Sequence, residues 1–202
     1  WHTGYPDAHA KIERDTLRRI PWENDTPFFL MDFYQADGAP LFVSPRQALR
    51  RVIERADGMG YAVKAGFEFE FFVFQESHHT LNEADHRDLV PLSYGMYGYS
   101  ATRTSRDQGL VHQLMDELRD FDCGIEGFHT ETGPGVYEAA LSADTALAAA
   151  DKAALFKQSV KEIAAQHGCT VTFMAKPNAK MPGCSGHVHQ SLMDDTGANL
   201  FA

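Results

Sequence analysis

Gly66-Phe67-Glu68-Phe69-Glu70-Phe71-Phe72-Val73-Phe74 is the stretch on which the fold turns. Aromatic and branched residues fill it, Gly60 precedes it, and a polar run follows Gln75, so it reads as a strand over 62–74. Successive side chains on a strand point to opposite faces. Phe67, Phe69, Phe71 and Val73 therefore share a face that needs a core, and Glu68 and Glu70 share the other. Two carboxylates about 7 Å apart along a strand, walled by aromatics, are costly to bury without positive charge between them. Two readings stay open here: an amphipathic edge strand with solvated glutamates, or carboxylates that hold a divalent cation.

The bounds are set by composition. A chain of 202 residues can form one good core, or one domain and part of another. Eighteen Lys and Arg against 28 Asp and Glu leave a net charge of −10, with no basic cluster, which argues against nucleic acid as a partner. A hydrophobic fraction of 44% with 14 Phe fits a packed globular protein. No apolar run is long enough to span a bilayer and no secretory signal opens the chain, so no membrane partner is expected. Cys123, Cys169 and Cys184 lack CxxC spacing and read as reduced thiols in a cytoplasmic setting. Trp1-His2-Thr3-Gly4-Tyr5-Pro6 has no initiator Met and reads as the middle of a longer chain.

Outward from the acidic strand, the pattern predicts alternating helices and strand pairs. Residues 1–27 read as loop with short extended pieces. Phe28 to Tyr34 reads as a buried strand, with Leu41-Phe42-Val43 returning beside it as a hairpin. Ser44-Pro45 opens a helix with Ser44 as its cap, an apolar stripe of Leu49, Val52, Ile53 and Ala56, and a stop at Gly58 or Gly60. Residues 75–104 read as a long polar loop, with His78, His79 and His86 solvated. A helix is expected from Ser105 to Phe121 on Leu110, Val111, Leu114, Met115 and Leu118. Ile125–Thr130 and Gly135–Leu141 read as strands around the turn Thr132-Gly133-Pro134-Gly135. Asp144 caps a helix that Gly168 stops. Strands follow at Thr170–Met174 and Gly186–Leu192, separated by a loop over 177–183. Short strand-to-strand links favour antiparallel pairing and an α+β fold. Neither a P-loop nor a GxGxxG fingerprint is present.

Four stretches could carry chemistry. They are Glu68 with Glu70, Glu126 to Glu138, Lys176-Pro177, and Gly183 to Leu192. A Gly-Pro-Gly turn can bring Glu131 and Glu138 together, or leave both as surface glutamates. His187 and His189 lie two apart on a strand and face one way, either toward a ligand or toward solvent. Gly183 and Gly186 would let backbone approach a ligand closely. Carboxylates with an occasional imidazole suit Mg²⁺ or Mn²⁺ better than a thiolate-rich zinc site. Two or more such ions are suited to holding ATP and stabilising charge in phosphoryl transfer.

These residues also resemble a family. Gly66 to Phe72, His129-Thr130-Glu131-Thr132-Gly133-Pro134-Gly135-Val136-Tyr137-Glu138, Thr172 to Pro177 and Ser185-Gly186-His187-Val188-His189-Gln190-Ser191-Leu192 are similar, in order, to motifs of the glutamine synthetase family, in its type I and glutamine synthetase-like branch. The resemblance implies a curved, mainly antiparallel sheet flanked by helices and here incomplete. Residues 1–43 would end a small β-grasp domain, and 44–202 would begin the catalytic domain. It implies ATP-dependent joining of glutamate and ammonia through γ-glutamyl phosphate, with a γ-glutamyl-amine or polyamine ligase, or a catalytically silent relative, as alternatives. Glu70, Glu131 and Glu138 would hold one ion, and Glu68, His187 and Glu138 the other. Glu126, His189 and Ser191 would contact nucleotide, and Gly183 would contact glutamate. Tyr99 would lie at the ammonium site, where Glu131 would also take a proton. The resemblance further implies homo-oligomeric rings, commonly dodecamers, and an inactive isolated piece. Val136 stands where many members have Gln, and Pro182-Gly183-Cys184-Ser185-Gly186 where many have Asn-Gly-Ser-Gly-Met. These departures point to the glutamine synthetase-like subgroup.

Overall fold

A computed structural model describes Gly4 and residues 7–201. The expectation for the remaining N-terminal residues lies outside the described residues. In chain order the elements are β1 (His9–Ile12), β2 (Arg18–Ile20), β3 (Thr26–Phe28), β4 (Met31–Tyr34), α1 (Pro45–Asp57), β5 (Ala62–Phe74), α2 (His78–Glu83), α3 (Ala101–Arg106), α4 (Gln108–Asp120), β6 (Ile125–Thr130), β7 (Val136–Leu141), β8 (Asp144–Thr145), α5 (Ala146–Gln166), β9 (Thr170–Thr172) and β10 (Gly186–Met193). The fold is α+β, as the short strand links predict. The chain forms two compact units. One takes the residues up to Lys64, Thr145–Leu147 and the chain from Ser191; the other takes Ala65–Asp144 and Ala148–Gln190.

In the first unit β1 pairs antiparallel with β4, from His9 against Tyr34 to Ile12 against Met31, and β2 pairs with β3. The expected single strand over 28–34 is therefore two short ones. The hairpin to Leu41-Phe42-Val43 is not formed. Its return ends after the Tyr34–Pro40 bridge, and Ser44 N–H donates back to Leu41 O at 3.0 Å as the chain turns into α1. Phe42 and Val43 are left exposed. Ser44 stands at the N-cap of α1, but its hydroxyl donates to the buried Asp32 carboxylate at 2.9 Å and makes no capping bond. Asp32 also pairs with Arg46 at 3.3 Å. Polar pairing thus fixes this helix, and Val52, expected in its apolar stripe, is exposed.

The second unit is built around β5. The sheet order is β10-β5-β7-β6, with β9 also on β5, and the β5–β7, β5–β9 and β6–β7 pairs are antiparallel. β9 stops at Thr172, two residues short of the expected end. The Phe face of β5 is the core face. Phe69 stacks on Phe156 of α5 at 5.6 Å, and Phe71 lies 5.3 Å from the Phe173 ring. Leu110, Val111 and Leu114 of α4 close on Phe71, Val73, Phe128 and Tyr137. Both helices thus cover the same face of the sheet, the one opposite Glu68 and Glu70.

Two details depart from the periodicity. The helix expected from Ser105 is two helices, broken at Asp107. There the Asp107 carboxylate accepts the Tyr137 hydroxyl, a tertiary bond that outranks local helix continuation. Met115, placed in the stripe, is 37% exposed. The segment over 78–83, expected as loop, is a short helix with its N-cap at Ser77, where the hydroxyl accepts from Thr80 N–H; His79 meets Glu83 at the surface. Asp144 lies two residues before α5, and its carboxylate pairs with Lys152 at 2.8 Å. Gly168 ends that helix with φ +67, as expected of a C-terminal stop.

Candidate metal centre

The open face of the sheet is set by register. Glu70 on β5 lies directly opposite Glu138 on β7, and Glu138 lies opposite His129 on β6. One step along, Glu68 faces Ala140, which faces Gly127. Directly opposed residues share a face. The result is a row of three polar side chains beside a row in which small residues leave Glu68 room. Farther along β5 the same face closes again: Phe72 and Phe74 bury against Val136 and Cys184, with Leu89 and Met181 packed around them. The carboxylates therefore stand at the rim of a second, smaller core. Alternation alone hides this, because Phe72 lies on the face of Glu70.

β10 supplies the imidazoles. His187 Nδ1 and His189 Nε2 each lie 3.1 Å from Glu68 Oε2. The expectation that the two histidines face one way holds. Hydrogen bonding to His189 is the chief reason the Glu68 carboxyl sits below its ordinary pKa, with His187 adding to it against some desolvation. Ser185 links the strands: its hydroxyl donates to Glu70 Oε1 at 2.7 Å and lies 3.2 Å from His187 Nε2, while its carbonyl accepts Glu70 N–H at 2.9 Å.

Glu131 is the first residue after β6. His129 Nε2 stands 3.1 Å from Glu131 Oε1 and 3.3 Å from Glu138 Oε2. Burial pushes the Glu138 carboxyl up; His129 opposes this, and the charges of Glu68, Glu70 and Glu131 reinforce it. Tyr99 stacks on the His129 ring at 4.8 Å. The Glu131 charge raises the Tyr99 hydroxyl above its ordinary pKa, and a hydrogen bond to the same carboxylate adds to this. Tyr99 itself has φ +53, held there by its N–H to Thr130 O at 2.6 Å.

Glycines at two points let the chain close over this site. Gly135, at φ +68, lies so near β5 that a Cβ would meet Val73 O at 2.5 Å, and no other residue fits there. A Cβ on Gly183 would meet Ala175 O at 2.9 Å. Gly183 thus allows the 2.8 Å bond from Cys184 N–H to that carbonyl.

Two groups of side chains can offer one ligand atom each within 4.8 Å of one another: Glu68, Glu138 and His187, and His129, Glu131 and Glu138. The donor set is carboxylate oxygen with imidazole nitrogen, which fits Mg²⁺ or Mn²⁺. Glu138 belongs to both groups. Glu70 faces Glu138 but gives its Oε1 to Ser185. Glu126 lies exposed at a bulge in β6, and among the described residues it has no hydrogen bond or ion pair to the cluster. Ser191 lies farther along β10 and accepts from Asn199 at 3.4 Å. His129 and Ser185 are site neighbours to which the sequence reading assigned no role. Their signal was the period of two that separates His129 from Glu131 and Ser185 from His187.

The three thiols are buried. Burial, then the Glu70 charge, pushes Cys184 up to about 11, and burial raises Cys169. A low thiolate fraction and poor access make a thiol slow to alkylate. We expect iodoacetamide at pH 8 to leave all three cysteines unmodified in the folded protein and to label them in denaturant. Rapid native labelling of Cys184, read by peptide mass spectrometry, would contradict this packing.

Fold and site together define a class: an α+β protein whose antiparallel sheet is covered by helices on one face and carries clustered carboxylates and imidazoles on the other. Residues 42–202 match the family described as glutamine synthetase, catalytic domain. The chain belongs to that family. It is 48% identical over 201 residues to type-1 glutamine synthetase 2 of Dictyostelium discoideum, covering 99% of this chain and 38% of that protein. It is 40% identical over 202 residues to a glutamate–isopropylamine ligase of a Pseudomonas species, covering 100% of this chain and 44% of that one. A ligand-free structure of GmaS superposes with a TM-score of 0.85 at 29% identity, covering 97% of this chain and 45% of that chain. The chain thus spans about two-fifths of the length of the curated relatives it matches.

Proposed function

We propose that the whole protein is an ATP-dependent ligase that forms a γ-glutamyl amide from glutamate and ammonia. The observation that carries this is the convergence of Glu68, Glu138 and His187 beside His129, Glu131 and Glu138. Glu70, Glu131 and Glu138 would hold one divalent ion and Glu68, His187 and Glu138 another. Such ions, when bound, neutralise charge on the transferred phosphoryl group. A glutamate γ-carboxylate oxygen attacks the terminal phosphorus of ATP, and ADP leaves. Ammonia then attacks the acyl carbon and phosphate leaves. Glu131 takes the proton from the incoming ammonium, and Tyr99, hydrogen-bonded to it, helps place that nitrogen. Glu126, His189 and Ser191 would contact nucleotide, and Gly183 glutamate. Residues 1–43 would close a small N-terminal domain, with the catalytic domain running from 44, and the working form would be a homo-oligomer. Among the described residues no helix is long and apolar enough to cross a membrane.

A second reading has its own support. Tyr94, Met96, Tyr97 and Tyr99 are all exposed on one short loop, whose Tyr99 lies against Glu131. Such a surface suits the carbon side of an organic amine, and one relative is named for isopropylamine. The test is product analysis with glutamate, ATP, Mn²⁺, ammonia and a panel of alkylamines. Glutamine as the preferred product supports the first reading, and a γ-glutamyl alkylamide supports the second. No acceptor-dependent ADP release with any of them would overturn both.

A further inference from the structure

Arg103, on α3, is 4% exposed, and no sequence pattern singles it out. A guanidinium carries five N–H donors in a rigid fork. Here all five are used. Nε donates to Ser93 Oγ at 3.2 Å, Nη2 to Ser93 Oγ at 2.7 Å and to Gly133 O at 2.9 Å, and Nη1 to Glu131 O at 3.1 Å and to Tyr97 O. Among the described residues no carboxylate forms an ion pair with it. A buried charge without a counter-ion is costly unless dipoles surround it. Three carbonyls supply those dipoles, and they come from two different segments.

One segment is the loop that ends in Tyr99. The other is the turn that carries Glu131 and Gly133. Their other links include Tyr99 N–H and Ser100 N–H to Thr130, the Tyr99 hydroxyl to the Glu131 carboxylate, the Tyr99–His129 stack, and Gly135 N–H to Ser93 Oγ at 3.3 Å. Glu68, His187 and His189 are held elsewhere, by β5 and β10. None of the five Arg103 bonds reaches β5 or β10, so its direct hold is on the Tyr99–Glu131 half of the site.

We propose that Arg103 is a positioning residue that locks Tyr99 and Glu131 together and so sets the acceptor side of the site, where ammonia or an amine is bound, without setting the nucleotide side. This rests on the reading that the acceptor nitrogen meets Tyr99 and Glu131. Lysine keeps the charge but offers three donors from a single point and cannot span Ser93 and three carbonyls.

The test is Arg103→Lys in the whole protein. The KM for the acceptor is expected to rise about tenfold or more, the scale for losing a residue that orients a site ligand, while the KM for ATP stays within about twofold. Chymotrypsin is expected to cut faster after Tyr97 and Tyr99. A lower kcat with both KM values unchanged, or an equal rise in both, would overturn the assignment. Ser93→Ala removes one acceptor that two of the five donors share, and it is the milder variant if Arg103→Lys does not fold. Its acceptor KM should rise in the same direction by less, and an unchanged value would equally overturn the proposal. If the wild type turns over no acceptor, the function above fails on its own, and the cleavage rates still decide the clamp. Faster cutting in the variant supports it, and equal cutting overturns it.

Discussion

Glu138→Gln is expected to lower the proposed ligase activity by about a thousandfold or more and to weaken divalent-ion binding at both groups of side chains. Removing one fixed stabiliser of developing charge typically costs 10²- to 10³-fold, or roughly 3–4 kcal/mol. Glu138 stands at the upper end because it is the one carboxylate common to both clusters. The strands leave it no substitute: β5 puts Glu70 opposite it, and β6 puts His129 on its other side. Loss of Glu126, exposed in its bulge, would disturb far less of this arrangement.

The same variant should reverse a stability order. Burial and neighbouring carboxylates hold the Glu138 pKa above its unfolded value. Where the group is ionised in both states, its charge opposes folding. That opposition is relieved as pH falls through the raised value toward the ordinary carboxylate range. Glutamine carries no such charge. Without metal, Glu138→Gln should melt no lower than the wild type, with a flatter dependence over that pH window. With Mn²⁺ at a hundred times its dissociation constant, the wild type gains about 2.7 kcal/mol, roughly 5–11 °C for a chain of this size. The variant should gain little. Calorimetric melts with and without Mn²⁺ measure both halves, and a wild-type melt that Mn²⁺ leaves unmoved would remove the metal centre from consideration.

The elements that local chemistry dictates were legible. β5 runs from Ala62 to Phe74 and β6 from Ile125 to Thr130, both at the bounds that alternation and turn residues predict. Gly168 stops α5 where its positive φ is needed. The α+β class and the family follow from the same stretches. What stayed hidden depends on partners distant in the chain. Nothing near Leu41 says that β1, not the following segment, pairs with β4. Nothing near Asp107 says that Tyr137 will claim its carboxylate and break the helix. The site shows the same division. That Glu68, Glu70, Glu131, Glu138, His187 and His189 belong to sheet strands or their ends was readable. That Glu70 faces Glu138 was not, because register between positions 68 residues apart is fixed by the whole core. Arg103 was invisible because its four acceptors are three backbone carbonyls and one hydroxyl, which no side-chain pattern records.

Phe71→Ala should be the most destabilising single change in the second unit. Phe71 is 1% exposed. Its ring centroid lies 5.3 Å from Phe173, 6.2 Å from Phe156, and 6.4 Å from both Phe128 and Tyr137. Those rings come from α5, the chain after β9, β6 and β7, so one side chain joins most of the layers. Deleting a buried phenylalanine costs about 3–5 kcal/mol through lost transfer energy and the cavity left behind. At 2–4 °C per kcal/mol, the melting temperature should fall by roughly 6–20 °C. Function should fall with it, because Phe71 directly follows Glu70 and holds β5 against the helices. The carboxylates on the opposite face keep their spacing only while that strand is fixed. Phe42→Ala is the control: Phe42 is 73% exposed and lies under the Arg51 guanidinium at 4.6 Å. Its removal should change stability by no more than about 0.5 kcal/mol. A Phe71→Ala protein that melts within 3 °C of the wild type, or binds Mn²⁺ with unchanged affinity, would mean that the aromatic layer is not what fixes the carboxylates.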